Sequence, residues 1–240
     1  MQQPVETSAF GQPIGPTVPG WTARPWPSDE PMQGRFCRLE RYDEARHLNA
    51  LFEAFAADDG RMWTYLAWGP FEDAAALGRH LAATADRYQR FVICTAADGR
   101  PLGEASYMRH DPEAGSVEVG GVTFGPGLQR TPAATEALIM MMRRAFETGY
   151  RRYEWKCDAL NAPSRAAAER LGFVFEGVFR SERVYRGRNR DTAWFSVIDG
   201  EWPALQRAME RWLDAANFDD DGRQRRRLAD LVAAERGDDG

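Results

Sequence analysis

The chain has 240 residues, 43% of them hydrophobic and 28% charged, with a net charge of −5, a balance that fits a folded protein with one sizeable core burying roughly 70–75% of its unfolded surface. No apolar run approaches the ~20 residues needed to cross a bilayer, and the polar, Pro-rich start lacks the basic-then-apolar pattern of a secretory leader, so a cytoplasmic protein is expected. Cys37, Cys94 and Cys157 are odd in number, far apart and inside strand-like runs, and His47, His80 and His110 form no ligand pair, so neither a disulfide framework nor a metal site is expected.

Residues 1–33 carry seven prolines with interleaved glycine, a composition that sustains neither helix nor sheet interior and predicts an arm. Trp21, Trp26 and Ile14 are too apolar for a plain linker, so part of it should lie against the domain or a partner subunit. Gly34 to Tyr42 reads as the first strand. Asp43 then caps a helix through Ala57 with Leu48, Leu51, Phe52 and Phe55 on one face, ended by Asp58-Asp59-Gly60. An aromatic, irregular stretch holding Trp63, Tyr65 and Trp68 leads to a second helix predicted from Glu72 to about Arg87. Arg90 to Thr95 and Leu102 to Arg109 flank Asp98-Gly99, a strong hairpin signal.

Val117 to Phe124 alternates like a strand, with Gly120-Gly121 in its middle. Paired glycines there weaken strand pairing and suggest a bulge or a close backbone approach. Beyond Gln129-Arg130, Thr131 is a good N-cap and Pro132 suits the first position of a helix carrying Leu138, Met141, Met142, Ala145 and Phe146 at helical spacing. A strand that turns into an exposed, capped helix start presents free N–H groups and the positive end of the helix dipole, which suits an anion, above all a pyrophosphate. Taken alone, an ordinary strand-to-helix turn explains the same residues.

A second segment changes the weighting: Asn161-Ala162-Pro163-Ser164, followed by Ala168-Glu169-Arg170-Leu171-Gly172-Phe173. With both segments in place, the sequence resembles the GNAT N-acetyltransferases over roughly Gly34 to Trp202, in particular the branch of ribosomal-protein N-terminal acetyltransferases and spermidine acetyltransferases. The resemblance implies an α/β (α+β) GNAT fold, with a central mixed, mostly antiparallel, twisted sheet splayed in the middle and helices on both faces. Arg152 to Cys157 would be the strand that parts from Val117–Phe124. Phe173 to Arg180 and Thr192 to Ile198 would complete the sheet across Arg186-Gly187-Arg188-Asn189. It implies acetyl-CoA as co-substrate, with Gln129, Arg130, Thr131, Ala133 and Ala134 at the pyrophosphate, Val122 and Phe124 at the pantetheine arm, Asn161 orienting the cofactor and Arg165 reaching the ribose phosphate. It implies Trp63, Tyr65 and Trp68 as acceptor contacts.

The chain departs from the family at three positions: Pro132 stands where the loop's first glycine is usual, Ala134 takes the final loop position, and Ala168 replaces a tyrosine that protonates the leaving thiolate in many relatives. Ser164 is the substitute acid, with Asn161 beside it, and both also suit a helix cap. Glu118 is the first choice of general base and Asp158 the second, while an ion pair with a nearby arginine gives Glu118 an equally good structural role. No residue is an evident covalent nucleophile, since Cys157 and its neighbour Lys156 should point to opposite faces of a strand, so direct attack of an amine within a ternary complex is expected. The rival reading is a GNAT-fold protein that binds CoA without turnover.

Between Gln129 and Arg190 there are thirteen Lys/Arg against seven Asp/Glu, so the acidic excess lies elsewhere; a basic half for an anionic cofactor and an acidic half for a cationic amine would explain it, as would chance. Lys156 is the sole lysine. Trp202 to Ala216 reads as a helix, and Arg223, Arg225, Arg226 and Arg227 form a basic cluster flanked by acids, better read as part of a solvated C-terminal helix than as a nucleic-acid contact. The expected organisation is an arm over 1–33, an acetyltransferase domain over 34–202 and a helical extension with a charged tail over 203–240. Expected partners are an amine-bearing small molecule or a protein N-terminus, with a homodimer left open.

Overall fold

Alternation along the strands sets the layering. In the strand Gln89–Thr95 (β5), Phe91 and Ile93 join the main core while Val92 and Cys94 join a smaller cluster on the opposite face, as side chains of period two must. The sheet is therefore covered on both sides. The structure, a computed structural model, describes residues 5–237.

Two-residue strands Glu6–Thr7 (β1) and Pro13–Ile14 (β2) pair with each other. The main sheet contains Met32–Gln33 (β3), Cys37–Arg41 (β4), β5, Pro101–Asp111 (β6), Ser116–Phe124 (β7), Arg152–Asp158 (β8), Val174–Tyr185 (β9) and Arg188–Ile198 (β10). Its order is β3-β4-β5-β6-β7-β8-β10-β9. Every neighbouring pair in it is antiparallel except β7 and β8, which are parallel.

The helices are Glu44–Ala56 (α1), Ala74–Ala82 (α2), Pro132–Glu147 (α3), Ala162–Arg170 (α4), Trp202–Leu213 (α5) and Leu228–Arg236 (α6). Helix α3 crosses between the parallel strands and is buried along most of its length. On the other face, α1 and α2 enclose Leu51, Phe55, Trp63, Leu77 and Leu81.

Three elements differ from expectation. The helix read over Glu72 to Arg87 is confined to Ala74–Ala82. Asp73 caps its start, and beyond its end Thr84 Oγ1 donates to the carbonyls of His80 and Leu81, while Arg90 Nη1 donates to Leu81 as well, so the orphan carbonyls are satisfied without another turn. The strand read over Phe173 to Arg180 continues to Tyr185, giving a long hairpin whose tip is Arg186-Gly187. The C-terminal segment is not solvated all round: Leu228, Leu231 and Val232 pack with Leu205, Met209 and Trp212 in the main core.

The arm is held from Trp21 onward. Trp21 Nε1 donates to the Glu113 carbonyl at 2.9 Å, Tyr150 Oη to Pro25 O at 2.7 Å, Gln89 Nε2 to Pro27 O at 2.6 Å, and Arg144 Nη1 to Ser28 O at 2.9 Å. The last three side chains serve arm carbonyls that proline-rich sequence cannot place in a ladder.

Candidate active site

The parallel ladder between β7 and β8 runs only from Ser116 opposite Arg152 to Val119 opposite Trp155. The cause of the parting is in β7. Ser106 of β6 pairs with Gly120 and Glu104 with Thr123, so two residues of β7 stand against one of β6. Gly121 adopts φ +58° there, a conformation that favours glycine. A Cβ on Gly120 would overlap Met108 Sδ and come within 3.0 Å of Glu118 Oε1. The bulged strand bends with β6 and leaves the end of β8, opening a cavity of about 1670 Å³.

One end of this cavity is the start of α3. Thr131 is the N-cap, its Oγ1 accepting from Ala134 N at 3.2 Å, and Pro132 is the first helical residue. Arg130 takes φ +61°. Of the N–H groups of Arg130, Thr131, Ala133 and Ala134, that of Thr131 donates to Leu128 O and that of Ala134 to the cap, leaving those of Arg130 and Ala133 without an acceptor among the described residues. Gln129 Nε2 donates to Phe124 O at 2.8 Å, holding the turn against β7. Gln129, Arg130, Thr131 and Ala134 line the cavity, as do Val122 and Phe124, whereas Ala133 packs its side chain on the main core.

The turn is braced from behind. Glu136, just beyond the first turn of α3, is buried and accepts three backbone N–H groups from the entry to β4: Arg35 at 2.7 Å, Phe36 at 2.7 Å and Cys37 at 2.9 Å. Gly34 is required beside it, because a Cβ there would overlap the carboxylate. Burial, and then the Glu136 charge, push the Cys37 thiol far above its ordinary range.

Where the strands part, Glu118 and Glu154 stand opposite each other in register. Two like charges so placed repel, and Lys156 answers both: its Nζ lies 3.0 Å from Glu118 Oε2 and 2.8 Å from Glu154 Oε2, and 3.6 Å from the centre of the Trp194 ring. Arg109 Nε approaches Glu118 Oε2 at 3.4 Å. Burial raises the Glu118 carboxyl, and Lys156 and Arg109 pull it back only in part. At Glu154 burial also raises the carboxyl, but the hydrogen bonds from Lys156 and Arg152 outweigh it and the net shift is downward.

Asp158, at the end of β8, accepts from Tyr185 Oη at 2.8 Å and from Leu160 N at 2.9 Å. Asn161 caps α4, its Oδ1 accepting from Ser164 N at 3.1 Å. Ser164 Oγ accepts from Trp155 Nε1 at 3.0 Å. Because an indole N–H can only donate, the serine proton is not used by Trp155 and is turned to the Cys157 sulfur, where it offsets part of the rise that burial gives that thiol. Glu118, Asp158, Asn161 and Ser164 all line the same cavity.

At its other end the cavity is bounded by Tyr65 and Trp68. Trp63, grouped with them on sequence, is buried: its ring meets Phe55 and Phe71 edge-on at 5.6 and 5.5 Å and does not reach the cavity. Trp68 stacks on His80 at 5.2 Å, where burial lowers the imidazole pKa. Arg186, at the hairpin tip, donates to Trp68 O at 2.7 Å and to Gly69 O, so the β9–β10 hairpin reaches over to this aromatic wall.

A family model described as an acetyltransferase (GNAT) domain matches residues 37–174. The chain belongs to the GNAT acetyltransferase family. It is 42% identical to a GCN5-related N-acetyltransferase of Brucella melitensis, over 90% of this chain and 99% of that one, with a TM-score of 0.86. It is likewise 42% identical to a probable GNAT-family acetyltransferase of Chromobacterium violaceum ATCC 12472, over 80% of this chain and 98% of that one, with a TM-score of 0.76. Mycobacterium smegmatis RimJ, solved with CoA-disulfide, shares the fold at 20% identity and a TM-score of 0.65, over 79% of this chain and 97% of that one. A search of curated proteins finds no match.

The family uses acetyl-CoA, and the residues of this acetyltransferase fit it: a parted strand pair for an extended arm, two unpaired N–H groups and a cationic rim at the helix start. Arg165 is outside that arrangement, its Nη1 donating to Ala159 O at 3.2 Å and its guanidinium lying 5.3 Å from the Phe175 ring. Arg170 is inside it, donating from Nη1 to Thr135 Oγ1 at 3.1 Å, with its pKa lowered by burial. Nothing in the sequence separates these two arginines, five positions apart on one short helix. Tyr88, Met62 and Met108 also line the cavity, and the sequence signals them only by their nearness to aromatic or strand residues. Among the described residues, no cluster of three His, Cys, Asp or Glu is placed to hold a metal ion, and no helix is long and apolar enough to cross a membrane.

Proposed function

We propose that this acetyltransferase moves an acetyl group from acetyl-CoA to a primary amine, of a small molecule or a protein N-terminus, by direct attack within a ternary complex. The observation that carries the reading is the single cavity that runs from the Thr131-capped helix, past the parted ends of β7 and β8, to Tyr65 and Trp68. It gives a charged end, a slot and an aromatic end in that order. RimJ and the Salmonella typhimurium enzyme titled as modifying the N-terminal serine of ribosomal protein L7/L12 share the fold, which is why peptide N-termini belong among the acceptors to be tried.

In this reading the thioester supplies the acyl group, and the chain supplies position and proton transfer. Unpaired backbone at the Gly120–Phe124 edge of β7 holds the extended arm, with donors that need no reorganisation during reaction. Glu118 takes the amine proton, directly or through water; a carboxylate raised by burial is a better base near neutrality than an ordinary one. Asp158 is the second choice, since both its oxygens already accept hydrogen bonds. Ser164 gives a proton to the departing sulfur, turning its O–H there from the Cys157 sulfur while Trp155 still donates to its oxygen, and water reprotonates the serine as product leaves. Asn161 keeps Ser164 in place through the helix cap.

The test is release of free thiol from acetyl-CoA over a panel of polyamines, aminoglycosides, amino-acid derivatives and short peptides. Activity with at least one amine is expected. No release with any amine, alongside measurable CoA binding, would favour the reading of a binding protein without turnover. Ser164→Ala should lower kcat by roughly 10²–10⁴-fold, the range typical of a general acid, and leave acetyl-CoA affinity nearly unchanged. Equal turnover removes Ser164 from the chemistry.

A further inference from the structure

The C-terminal segment beyond α5 lies outside the 37–174 stretch matched by the family model, yet Trp212, Phe218, Gly222, Arg223 and Gln224 line the same cavity as Thr131 and Arg170. It reaches the anion end. Phe218 packs its ring, tilted by 59°, at 4.9 Å from that of Phe36, whose N–H is held by Glu136 near the start of α3. On the other side, Arg236 of α6 donates to Gly172 O, just after α4. The loop 214–227 thus spans the start of α3 and the end of α4.

Its conformation is built rather than slack. Asn217 Nδ2 donates to Trp212 O at 2.9 Å and to Arg226 O at 3.3 Å, and Asn217 Oδ1 accepts from Arg226 N at 2.9 Å. Asp219 N donates to Arg223 O at 3.0 Å, and Arg223 N donates back to Asp219 Oδ1 at 2.8 Å. That closes a tight ring around residues 219–223. Trp212 Nε1 donates to Gln224 Oε1 at 2.7 Å; the indole can only donate, so it fixes the amide orientation and leaves both Nε2 protons without an acceptor among the described residues. Among the described residues Arg223 has one side-chain partner, Asp221 at 3.4 Å, with both side chains mostly exposed, a pairing too weak to hold it against a stronger anion.

We infer that this loop forms the outer wall of the nucleotide end of the CoA site, with Arg223 and Gln224 as phosphate-binding residues. The inference rests on the acetyl-CoA reading above. Its chemical motive is a shortage at the helix start: proline removes one N–H and the Thr131 hydroxyl takes another, so backbone donors alone cannot match the charge of a diphosphate and a phosphomonoester. A fork-shaped guanidinium and a free amide N–H₂ are the groups that recognise phosphate oxygens.

Calorimetric titration of the full chain with CoA, and with dephospho-CoA that lacks the 3′-phosphate, tests this. Arg223→Gln is expected to raise the Kd for CoA roughly three- to tenfold, the range of one charge-assisted contact at a wet rim. Arg225→Gln, in the same basic run but not lining the cavity, is the control and should stay within about twofold, since a surface charge outside a contact acts only through a screened field. A loss seen with CoA but absent with dephospho-CoA assigns Arg223 to the 3′-phosphate; an equal loss with both assigns it to the diphosphate. An unchanged Kd in Arg223→Gln, or the same loss in Arg225→Gln, overturns the inference and leaves the acetyltransferase reading standing. Failure of the unmodified protein to bind CoA would overturn both.

Discussion

Glu136 offers the sharpest test of how the anion-binding turn is held. Its Oε1 accepts one backbone N–H and its Oε2 two, from consecutive residues 35–37. In Glu136→Gln the amide oxygen can replace Oε2 and keep two of the bonds, while the N–H₂ group then confronts the Arg35 N–H, donor against donor. Losing one charge-assisted bond and weakening two others should cost about 2–4 kcal/mol, which at this chain length lowers Tm by roughly 4–16 °C. Gly34 makes the experiment a closed cycle. Gly34→Ala alone should be costly, because the clashing carboxylate is pinned by its three donors and cannot swing away. In a Glu136→Ala background the same change should be nearly neutral, since the space is then free. Chemical denaturation of the four proteins would give a coupling energy of about 1–3 kcal/mol. Additive effects, or a Glu136→Gln loss below about 1 kcal/mol, where ordinary surface changes fall, would refute the account.

The charge cluster at the strand parting predicts a pH effect on rate. With Lys156→Met the Glu118 carboxyl loses its nearest counter-charge, so the acid limb of kcat/KM should move to higher pH, and Glu118→Gln should abolish that limb; a limb unmoved by either change excludes Glu118 as the base. Glu104 predicts a pH effect on stability: buried beside Arg90 at 3.0 Å, it is pushed by desolvation up to about 7, with Arg90 opposing, from an ordinary 4.5. Between those values the unfolded chain has released this proton and the folded chain still holds it. Stability should therefore fall as pH rises from about 4.5 to 7, by about 3 kcal/mol, and level off above. Glu104→Gln should flatten the slope in urea melts; an unchanged slope refutes the assignment.

What the sequence made legible were features written within a few residues. Thr131 and Pro132 announce the start of α3 locally, Asp43 the start of α1, and Gly120-Gly121 the bulge that parts the strands. Features made by distant segments were hidden. The contact of Glu136 with residues 35–37 spans about a hundred positions, and Tyr185 meets Asp158 only because the hairpin runs longer than its apolar pattern suggested. The aromatic stretch divided for the same reason: no periodicity separates Trp63 from Tyr65 and Trp68 in an irregular segment, and packing of Phe55 and Phe71 decides which ring is interior. The Arg-rich run near the C-terminus read as solvated because its acidic neighbours balance it in sequence. In space Asn217 gathers the loop and carries Arg223 and Gln224 to the cavity.

Pro132 carries a final consequence. At the first helical position proline is favourable, since its ring pre-sets φ and the N–H it lacks would have no helical acceptor. For anion binding that same N–H is one donor fewer, and the guanidinium groups of Arg130 and Arg170, which line the cavity, are the charges at hand to make up for it in the proposed reading. Backbone donors and mobile charges respond differently to salt: exposed charges are screened with a Debye length of about 10 Å at 0.1 M, whereas an oriented N–H in contact is not. CoA affinity should therefore fall steeply between about 0.05 and 0.5 M salt, as screening removes the long-range part of the attraction. Pro132→Gly restores one donor, so it should bind CoA more tightly and with a shallower salt dependence. The free protein should lose about 1 kcal/mol, because glycine widens the unfolded ensemble that proline narrows. Calorimetry across the salt series reads both. A Pro132→Gly protein with the same affinity and the same slope would mean that the anion's charge is not met at this turn at all.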